Sequence, residues 1–266
     1  MANPMSPVVL LGCGRLGSAV VEGWLTHGGL APEALIVLTP SPKPAAEDAR
    51  RRGARVNPSV DALSEASALI LAVKPKVWRE AAAPLADRLG ADTAVISLMA
   101  GVRSVDLAGV FRDRPLARLM PTTAVAQGQG VAALWSEDGR AKDLAAALFE
   151  PLADVVQLPD EAMIDPATAV AGSAPAFLYA FAQALAAAGA REGLPRDAAE
   201  RLARGALRSA GAGAGTHEAL EGLIARIASP GGTTEAGLKA SGDALEGAAQ
   251  AAVAAAAARA RDLSGS

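Results

Sequence analysis

Apolar residues in the first 158 positions form short runs without regular polar interruptions, and these runs alternate with stretches of helical spacing. Strands that are apolar on both faces are typical of a parallel sheet with helices packed on each side. The pattern therefore predicts a doubly wound parallel sheet. Its predicted strands are 8–11, 34–38, 68–73, 94–98 and 130–134, and its predicted helices are 16–27, 45–52, 77–89 and 140–149.

From residue 159 onward the strand-like runs stop, and alanine-rich segments of helical spacing take their place. Alanine is the best helix former, and helices of small residues pack closely against one another. We therefore expect two domains, an α/β domain over 1–158 and an all-helical domain over 159–266. The predicted helices of the second domain are 165–189, 196–210, 217–228 and 233–262, with a Gly-rich joint at 211–215.

The segment 167–190 carries no charged side chain, which is unusual for a helix at a protein surface. A helix that is apolar all round is normally buried on every side. Its length resembles that of a membrane span, but Gly172, Ser173, Pro175 and Gln183 interrupt the apolar run. A helix shared between two subunits accounts better for this composition, so we expect an obligate homodimer built on the second domain.

Composition narrows the classes of function. With 51% hydrophobic and 20% charged residues, the chain is predicted to be globular. A net charge of -3 and 3% aromatic residues provide neither a basic face nor stacking platforms for nucleic acid. The N-terminus lacks a basic region with a long apolar stretch, so we expect a cytoplasmic protein. Cys13 is the single cysteine and the histidines are His27 and His217, so we expect no internal disulfide and no metal site.

A glycine-rich turn follows the first predicted strand and opens the first predicted helix. In this context the pattern GxGxxG binds the pyrophosphate of a dinucleotide, because the glycines permit a tight turn, a close approach of backbone amides and close helix packing. The first domain is therefore predicted to be a Rossmann-type dinucleotide-binding domain. Cys13 is interpreted as a small residue of the turn rather than a nucleophile. The predicted contacts are Gly12, Cys13, Gly14, Arg15, Leu16 and Gly17.

The end of the second predicted strand indicates which dinucleotide binds. An acidic residue there would accept hydrogen bonds from the ribose of NADH and would repel the 2′-phosphate of NADPH. This chain has no acid at these positions and carries Thr39, Ser41 and Lys43 instead, so NADPH is preferred and NADH is the alternative cofactor. A second alternative is that Thr39 and Ser41 only shape a proline-rich turn.

Two further segments follow predicted strands, at the edge of the sheet where this fold binds its ligands. The lysine in the first segment either lies beside the cofactor or is a solvated turn residue. The candidate cofactor contacts in these segments are Ala72, Val73, Lys74, Pro75, Met99, Ala100 and Gly101.

Five motifs resemble those of pyrroline-5-carboxylate reductases in order and spacing over nearly the whole chain. The resemblance implies a Rossmann domain followed by a helical dimerisation domain, reduction of L-1-pyrroline-5-carboxylate to L-proline, and larger assemblies of dimers. It also implies that the last motif binds the substrate carboxylate, with Thr234 near the imine nitrogen. The motifs are the fingerprint 12–17, 72–75, Met120-Pro121, Gly172-Ser173-Ala174-Pro175-Ala176, and Ser229-Pro230-Gly231-Gly232-Thr233-Thr234, which is the most specific of the five.

The chain also departs from the usual family pattern, and the departures leave alternatives open. It lacks an amide side chain that members usually carry beside the nicotinamide, and it has Ser59 where an asparagine usually lies near the adenosine. By the resemblance, Ser59, Met120 and Pro121 are also candidate cofactor contacts. A related imine reductase for another cyclic imine and a non-catalytic NADPH-binding regulatory homologue are the alternatives. The departures are Ser59, Thr122, Ala124, Ala171, Ala174 and Gln183.

The loop before the last helix has a chemical interpretation of its own. Consecutive amides at Gly231, Gly232 and Thr233 that open a helix form a site for a carboxylate. Hydroxyl groups of Ser229, Thr233 and Thr234 add hydrogen bonds, and Ser173 is a further candidate substrate contact through its motif. The alternative is an ordinary helix break with an N-cap.

The segment 159–190 contains no lysine or histidine, the side chains with which a hydroxyacid dehydrogenase would move a proton. Reduction of a ketone requires a proton donor for the forming alkoxide. A protonated cyclic imine requires none, because its nitrogen already carries the proton. The absence therefore favours imine reduction, and we assign Thr234 an orienting role in catalysis.

Overall fold

The computed structural model describes residues 7–216 and 218–264. Two expectations concern residues outside that part. The first is about the N-terminal segment 1–6, and the second is that a helix begins at His217. The described chain divides into two compact units. One runs to Gly172 and includes the chain from Ala256 onward, and the other is Ser173–Ala255. The expected domain boundary after residue 158 stays a prediction.

In the described part of the chain, eight strands form one sheet in the order β3-β2-β1-β4-β5-β6-β7-β8. The six strands from β3 to β6 are parallel and have the strand order of a Rossmann domain, so the predicted fold class is confirmed. The strands are β1 Val8–Leu11, β2 Leu35–Leu38, β3 Arg55–Val56, β4 Ala68–Leu71, β5 Ala94–Ser97, β6 Leu116–Pro121, β7 Gly130–Trp135 and β8 Ala153–Gln157.

Helices cover both faces of this sheet, as its apolar strands require. Val8 and Leu10 of β1 face one apolar cluster, while Val9 and Leu11 face the other. Helices α1, α2 and α5 pack in the first cluster, and α3 and α4 pack in the second. Their bounds are α1 Arg15–His27, α2 Pro44–Arg51, α3 Trp78–Ala86, α4 Ser104–Phe111 and α5 Gly139–Phe149.

The sheet changes direction after β6, where β7 pairs antiparallel with it. Only residues 122–129 connect the two strands. A parallel crossover needs about a dozen residues or more, so this connection is too short for one. β8 follows α5 and pairs parallel to β7, so β7 and β8 run antiparallel to the other six strands.

The sequence pattern did not predict β3, β6, β8 or α4. β3 has two residues and α4 has eight, which leaves little periodicity to detect. β6 contains Arg118 in an otherwise apolar run, and β8 is an edge strand with mostly exposed or half-buried residues. Polar positions of this kind do not match the wholly apolar pattern that identified the other strands.

The remaining residues are helical apart from short turns. The bounds are α6 Ile164–Ala167, a π-helical turn Thr168–Ser173, α7 Ala174–Arg191, α8 Arg196–Ala214, α9 Leu220–Ile227 and α10 Thr233–Ser264. The Gly-rich joint predicted from residue 211 is wrong, because α8 continues through Ala214. A Cβ at Gly213 would lie 3.6 Å from Leu223, an ordinary van der Waals contact, so the packing of α8 beside α9 does not require glycine here.

The apolar helix α7 is not buried within a single chain. Leu178, Phe181 and Leu185 lie three or four positions apart on one face and are 45% to 53% exposed. By length and composition the helical run Glu161–Arg191 would be sufficient to cross a membrane, which is weak evidence because core helices pass the same test. Burial of α7 on every side, as its composition predicts, would therefore require a second protein surface.

The indole of Trp24 provides a test of the packing between α1 and α5. Its Nε1 donates a buried 2.8 Å hydrogen bond to the Leu148 carbonyl, and its ring meets Phe149 edge to face at 5.8 Å. Trp24→Phe leaves that carbonyl without its donor, so we expect unfolding to become easier by about 1–3 kcal/mol in urea titrations at fixed protein concentration. Trp135→Phe is the control, because its indole nitrogen has no protein acceptor among the described residues. An equal loss in both variants would contradict the role of the hydrogen bond.

Candidate active site

The turn between β1 and α1 has the geometry that a dinucleotide site requires. Gly12 has a φ of +99°, and its N–H donates to the Leu38 carbonyl at 2.8 Å. A Cβ at Gly12 would lie 2.7 Å from the Ala72 carbonyl oxygen. Only glycine therefore allows the chain to turn here between β2 and β4.

The other two glycines of the fingerprint differ in their surroundings. A Cβ at Gly17 would collide with the Gly12 carbonyl oxygen, so this glycine allows α1 to pack on the end of β1. Gly14 instead faces open space, with no atom within 4 Å of an added Cβ. No side chain in the described structure caps α1, and its first turn contains no acidic residue. The helix N-terminus is therefore accessible to an anion.

The other fingerprint residues line this turn in different ways. Cys13 is 2% exposed, and its Sγ lies 3.5 Å from Ser18 Oγ. Gly14 and Arg15 are exposed, and Leu16 is half-buried. The structure thus favours the interpretation of Cys13 as a small buried residue, and it leaves Arg15 accessible beside the helix start.

Three more predicted segments lie along the same edge of the sheet. Leu11 is paired with Leu71, and Leu71 is paired with Ser97, so the residues that follow these strands are neighbours. Backbone hydrogen bonds continue past the strands, from Ala72 N to Leu11 O and from Leu98 N to Leu71 O. The predicted residues brought to this edge are Ala72, Val73, Lys74, Pro75, Met99, Ala100, Gly101 and, at the end of β6, Met120 and Pro121.

The turn after β2 is held by an asparagine that the sequence pattern did not single out. The Asn57 amide accepts from Thr39 N and donates to Thr39 O, both at 2.9 Å. The Thr39 hydroxyl donates to the Ser41 carbonyl at 3.0 Å, so Thr39 shapes the turn, as one of the two alternatives expected. Ser41 is exposed and Lys43 is half-buried at the start of α2, so these two side chains are available to a phosphate.

Ser59 and Thr122 occupy two positions where the chain departs from the family pattern. Ser59 is exposed at the start of a 3-10 turn that ends before β4. Thr122 N donates to the Val131 carbonyl at 3.0 Å, and Thr122 Oγ1 accepts from Val131 N at 3.3 Å. The Thr122 side chain therefore supports the pairing of β6 with β7.

The second candidate loop precedes α10 and is partly closed by its own hydrogen bonds. Gly231 has a φ of +72°, and its N–H donates to the Glu235 carboxylate at 2.7 Å. Gly232 N donates to the Ser229 carbonyl at 2.9 Å. Two of the three amides assigned to a carboxylate ligand therefore already have acceptors, and Glu235 is a participant that the sequence pattern did not identify.

The remaining donors of this loop lie in the first turn of α10. The first N–H groups of an α-helix have no acceptor within the helix, which leaves the amides of Thr233 and Thr234 available. Ser229 and Thr233 are exposed and Thr234 is half-buried. Ser173 ends the π-helical turn and is half-buried at the start of α7 in the same compact unit.

Metal ligands do not cluster in the part of the chain that the structure describes. Within residues 7–216 and 218–264, no three His, Cys, Asp or Glu side chains come together to hold an ion. The accessible amides, the hydroxyl groups and the side chains of Lys43 and Arg15 are suited to binding anions.

The chain is similar to known proteins in family pattern, in sequence and in structure. A model described as pyrroline-5-carboxylate reductase dimerisation matches residues 161–263, and one described as NADP oxidoreductase coenzyme F420-dependent matches 7–101. The pyrroline-5-carboxylate reductase of Thermus thermophilus is 38% identical over 88% of both chains. The solved pyrroline-5-carboxylate reductase of Coxiella burnetii is 26% identical, with a TM-score of 0.87 over 97% of this chain and 98% of that one. A Plasmodium falciparum pyrroline carboxylate reductase with NADP bound, 22% identical, shares the fold with a TM-score of 0.79 over 99% of this chain and all of that one.

Gly14→Ala tests whether the open space at the start of α1 is a phosphate site. The φ of −76° suits alanine and nothing obstructs the new methyl group, so the melting temperature should stay unchanged. The methyl group would occupy the approach to the backbone amides, so we expect NADPH to bind at least about tenfold more weakly by fluorescence titration. Gly139→Ala, at the start of α5 and equally unobstructed, is the matched control. Unchanged NADPH affinity in Gly14→Ala would contradict the assignment.

Proposed function

The chain belongs to the pyrroline-5-carboxylate reductase family, and we infer from this membership that it is an NADPH-dependent oxidoreductase. It reduces the C=N bond of L-1-pyrroline-5-carboxylate to give L-proline, the last step of proline biosynthesis. The observation that carries this function is 38% identity to a reductase of that name over 88% of both chains. The fold agrees with it, because the described structure places a dinucleotide-type turn at the start of a Rossmann sheet.

We propose that the cofactor lies across the edge where the parallel strands end. The pyrophosphate binds the amides of the turn 12–17, and the adenosine half extends toward β2, where Ser41, Lys43 and the exposed Ser59 are available. The nicotinamide half extends toward β5 and β6, beside Met99–Gly101 and Met120-Pro121. The turn that contains Ser41 and Lys43 has no acidic residue, which supports a preference for binding NADPH over NADH. Ala72–Pro75 lie between the two halves.

We propose that the loop before α10 binds the substrate carboxylate through the free amides of its first helical turn. Ser229, Thr233 and Thr234 supply hydroxyl groups, and Ser173 is a further contact. Glu235 already holds the Gly231 amide, so a substrate carboxylate gains that donor only when Glu235 releases it.

The reduction of a protonated imine requires few catalytic groups from the protein. When bound, NADPH supplies a hydride to the imine carbon, and the electron pair of the C=N bond moves to the nitrogen, which already carries its proton. The chain therefore needs no acid or base at this step. Its residues fix the two ligands and exclude water, and proximity of this kind supplies about 7–11 kcal/mol of barrier reduction in favourable systems. Thr234 orients the imine nitrogen through its hydroxyl group.

We propose a homodimer, or a multiple of dimers, formed through the helical domain at 159–266, with the α/β domain at 1–158. The dimerisation model that matches 161–263 supports this boundary, and the exposed apolar face of α7 supports the dimer. A subunit partner covers Leu178, Phe181 and Leu185 without a membrane. We further propose that the enzyme acts in the cytoplasm.

NADPH absorbance with three substrates tests the function. We expect oxidation with pyrroline-5-carboxylate, and none with pyrroline-2-carboxylate or without an imine.

Thr234→Ala should lower kcat by about tenfold or more, the effect of losing about 1.4 kcal/mol in the transition state, while the Kd of NADPH changes little. Ser241→Ala, which removes another hydroxyl group from α10, is the control and should keep full activity.

In the substrate test, turnover with pyrroline-2-carboxylate alone would favour a different imine reductase, and NADPH binding without any turnover would favour a regulatory homologue.

Phe181→Asp tests the subunit interface. The side chain is 48% exposed in a single chain, so a charge there costs little in a monomer. At an apolar interface the same charge is costly to bury, so we expect dissociation to monomers by light scattering with chromatography. Arg88→Asp, in the exposed turn after α3, is the charge control and should leave the assembly intact. Assembly unchanged in Phe181→Asp would contradict an interface on this face.

A further inference from the structure

The largely shielded carboxylate of Glu161 contacts two segments that lie 57 and 43 residues before it in the sequence. Glu161 Oε1 accepts from Ser104 N at 2.7 Å, and Glu161 Oε2 accepts from the Ser104 hydroxyl at 2.7 Å. Arg118 Nη1 donates to Glu161 Oε1 at 3.0 Å. The side chains of Arg118 and Glu161 are 4% and 14% exposed, so these contacts are shielded from solvent.

Both partners of Glu161 lie next to proposed cofactor contacts. Ser104 begins α4, directly after the turn that contains Met99, Ala100 and Gly101. Arg118 lies on β6, two positions before Met120 and three before Pro121. The carboxylate therefore connects the segments after β5 and at the end of β6, which flank the nicotinamide half of a dinucleotide in this fold.

Arg118 depends on Glu161 because few other groups can pair with its guanidinium. Its Nε and Nη2 are buried without a hydrogen-bond partner among the described residues. Its contact with Glu161 therefore supplies the opposite charge, and removal of one partner of a buried pair leaves an uncompensated charge. This carboxylate adds a charged link between β6 and the start of α4 to the apolar packing of Leu107 and Phe111 near Leu116.

The pyrophosphate and adenosine contacts do not depend on the same group. They follow β1 and β2, whose turns are held by Gly12, Gly17 and Asn57. A disturbance at Glu161 should thus displace the nicotinamide half while the rest of the cofactor remains bound.

We propose that Glu161 is a positioning residue for hydride transfer, which sets the nicotinamide half of the cofactor site by holding Ser104 and Arg118 together. The inference rests on the proposed function of the chain. Glu161 acts through the two segments that it joins, and a misplacement of about 1 Å in such a support is enough to slow chemistry by about a hundredfold.

Glu161→Gln tests the proposal in the full-length protein, because the amide keeps the size of the side chain and removes its charge. We expect kcat with pyrroline-5-carboxylate to fall by about tenfold or more while the Kd of NADPH stays within about threefold. The chemical step should become more rate-limiting, so the isotope effect on kcat should rise with NADPH deuterated at the transferred position. Ser104→Ala, which removes one hydrogen bond and keeps the ion pair, should show a smaller change in the same direction.

Asp106→Asn is the matched control, because it breaks the exposed 2.9 Å ion pair between α4 and Arg79 without touching β6. It should leave kcat and the isotope effect unchanged. A kcat and isotope effect equal to wild type in both Glu161→Gln and Ser104→Ala would overturn the proposal, even if their melting temperatures fall. If Glu161→Gln does not fold, Ser104→Ala decides by the same readouts. Absence of turnover in the wild type would contradict the proposed function itself, and the positioning role with it.

Discussion

Close packing of α1 against the end of β1 is the constraint on which the cofactor site depends. It exists because Gly12 adopts a positive φ and Gly17 carries no side chain to meet the Gly12 carbonyl. The packing directs the start of α1 toward the edge where β1, β4 and β5 end in register. Turns from different parts of the chain therefore become neighbours at one edge, with an uncapped helix N-terminus among them.

The two glycine-rich helix starts differ in how their amides are satisfied. The start of α1 has no capping side chain and faces open space at Gly14, so an anion meets free donors. The loop before α10 instead places its own carboxylate, Glu235, on the Gly231 amide. The amides at the start of α1 are therefore open to a ligand, whereas one amide of the loop before α10 already has an internal acceptor.

The single chain leaves the apolar helix α7 uncovered. Leu178, Phe181 and Leu185 are about half exposed on one face of α7, although its sequence has the composition of a buried helix. Family membership and this exposed face lead to the same conclusion, that the helical domain is completed by another subunit. In the α/β domain, by contrast, both faces of the sheet are covered by its own helices.

The amino-acid pattern by itself determined the fold class, the strand-turn-helix context of the fingerprint and the helical second half, because these follow from local periodicity and from glycine at fixed spacing. It also indicated the family through its motifs. It did not determine β6, because Arg118 interrupts the apolar run, nor the reversal at β7, which follows from the short connection 122–129 only once β6 is known. It also did not determine the continuation of α8 through Gly211 and Gly213, because glycine is a poor helix former. Arg118 in an apolar run was a signal that a buried partner must exist, but nothing local identified Glu161, 43 residues away. The same holds for Asn57 on Thr39 and Glu235 on Gly231, because a hydrogen bond depends on where the chain brings two groups together and not on their order along it.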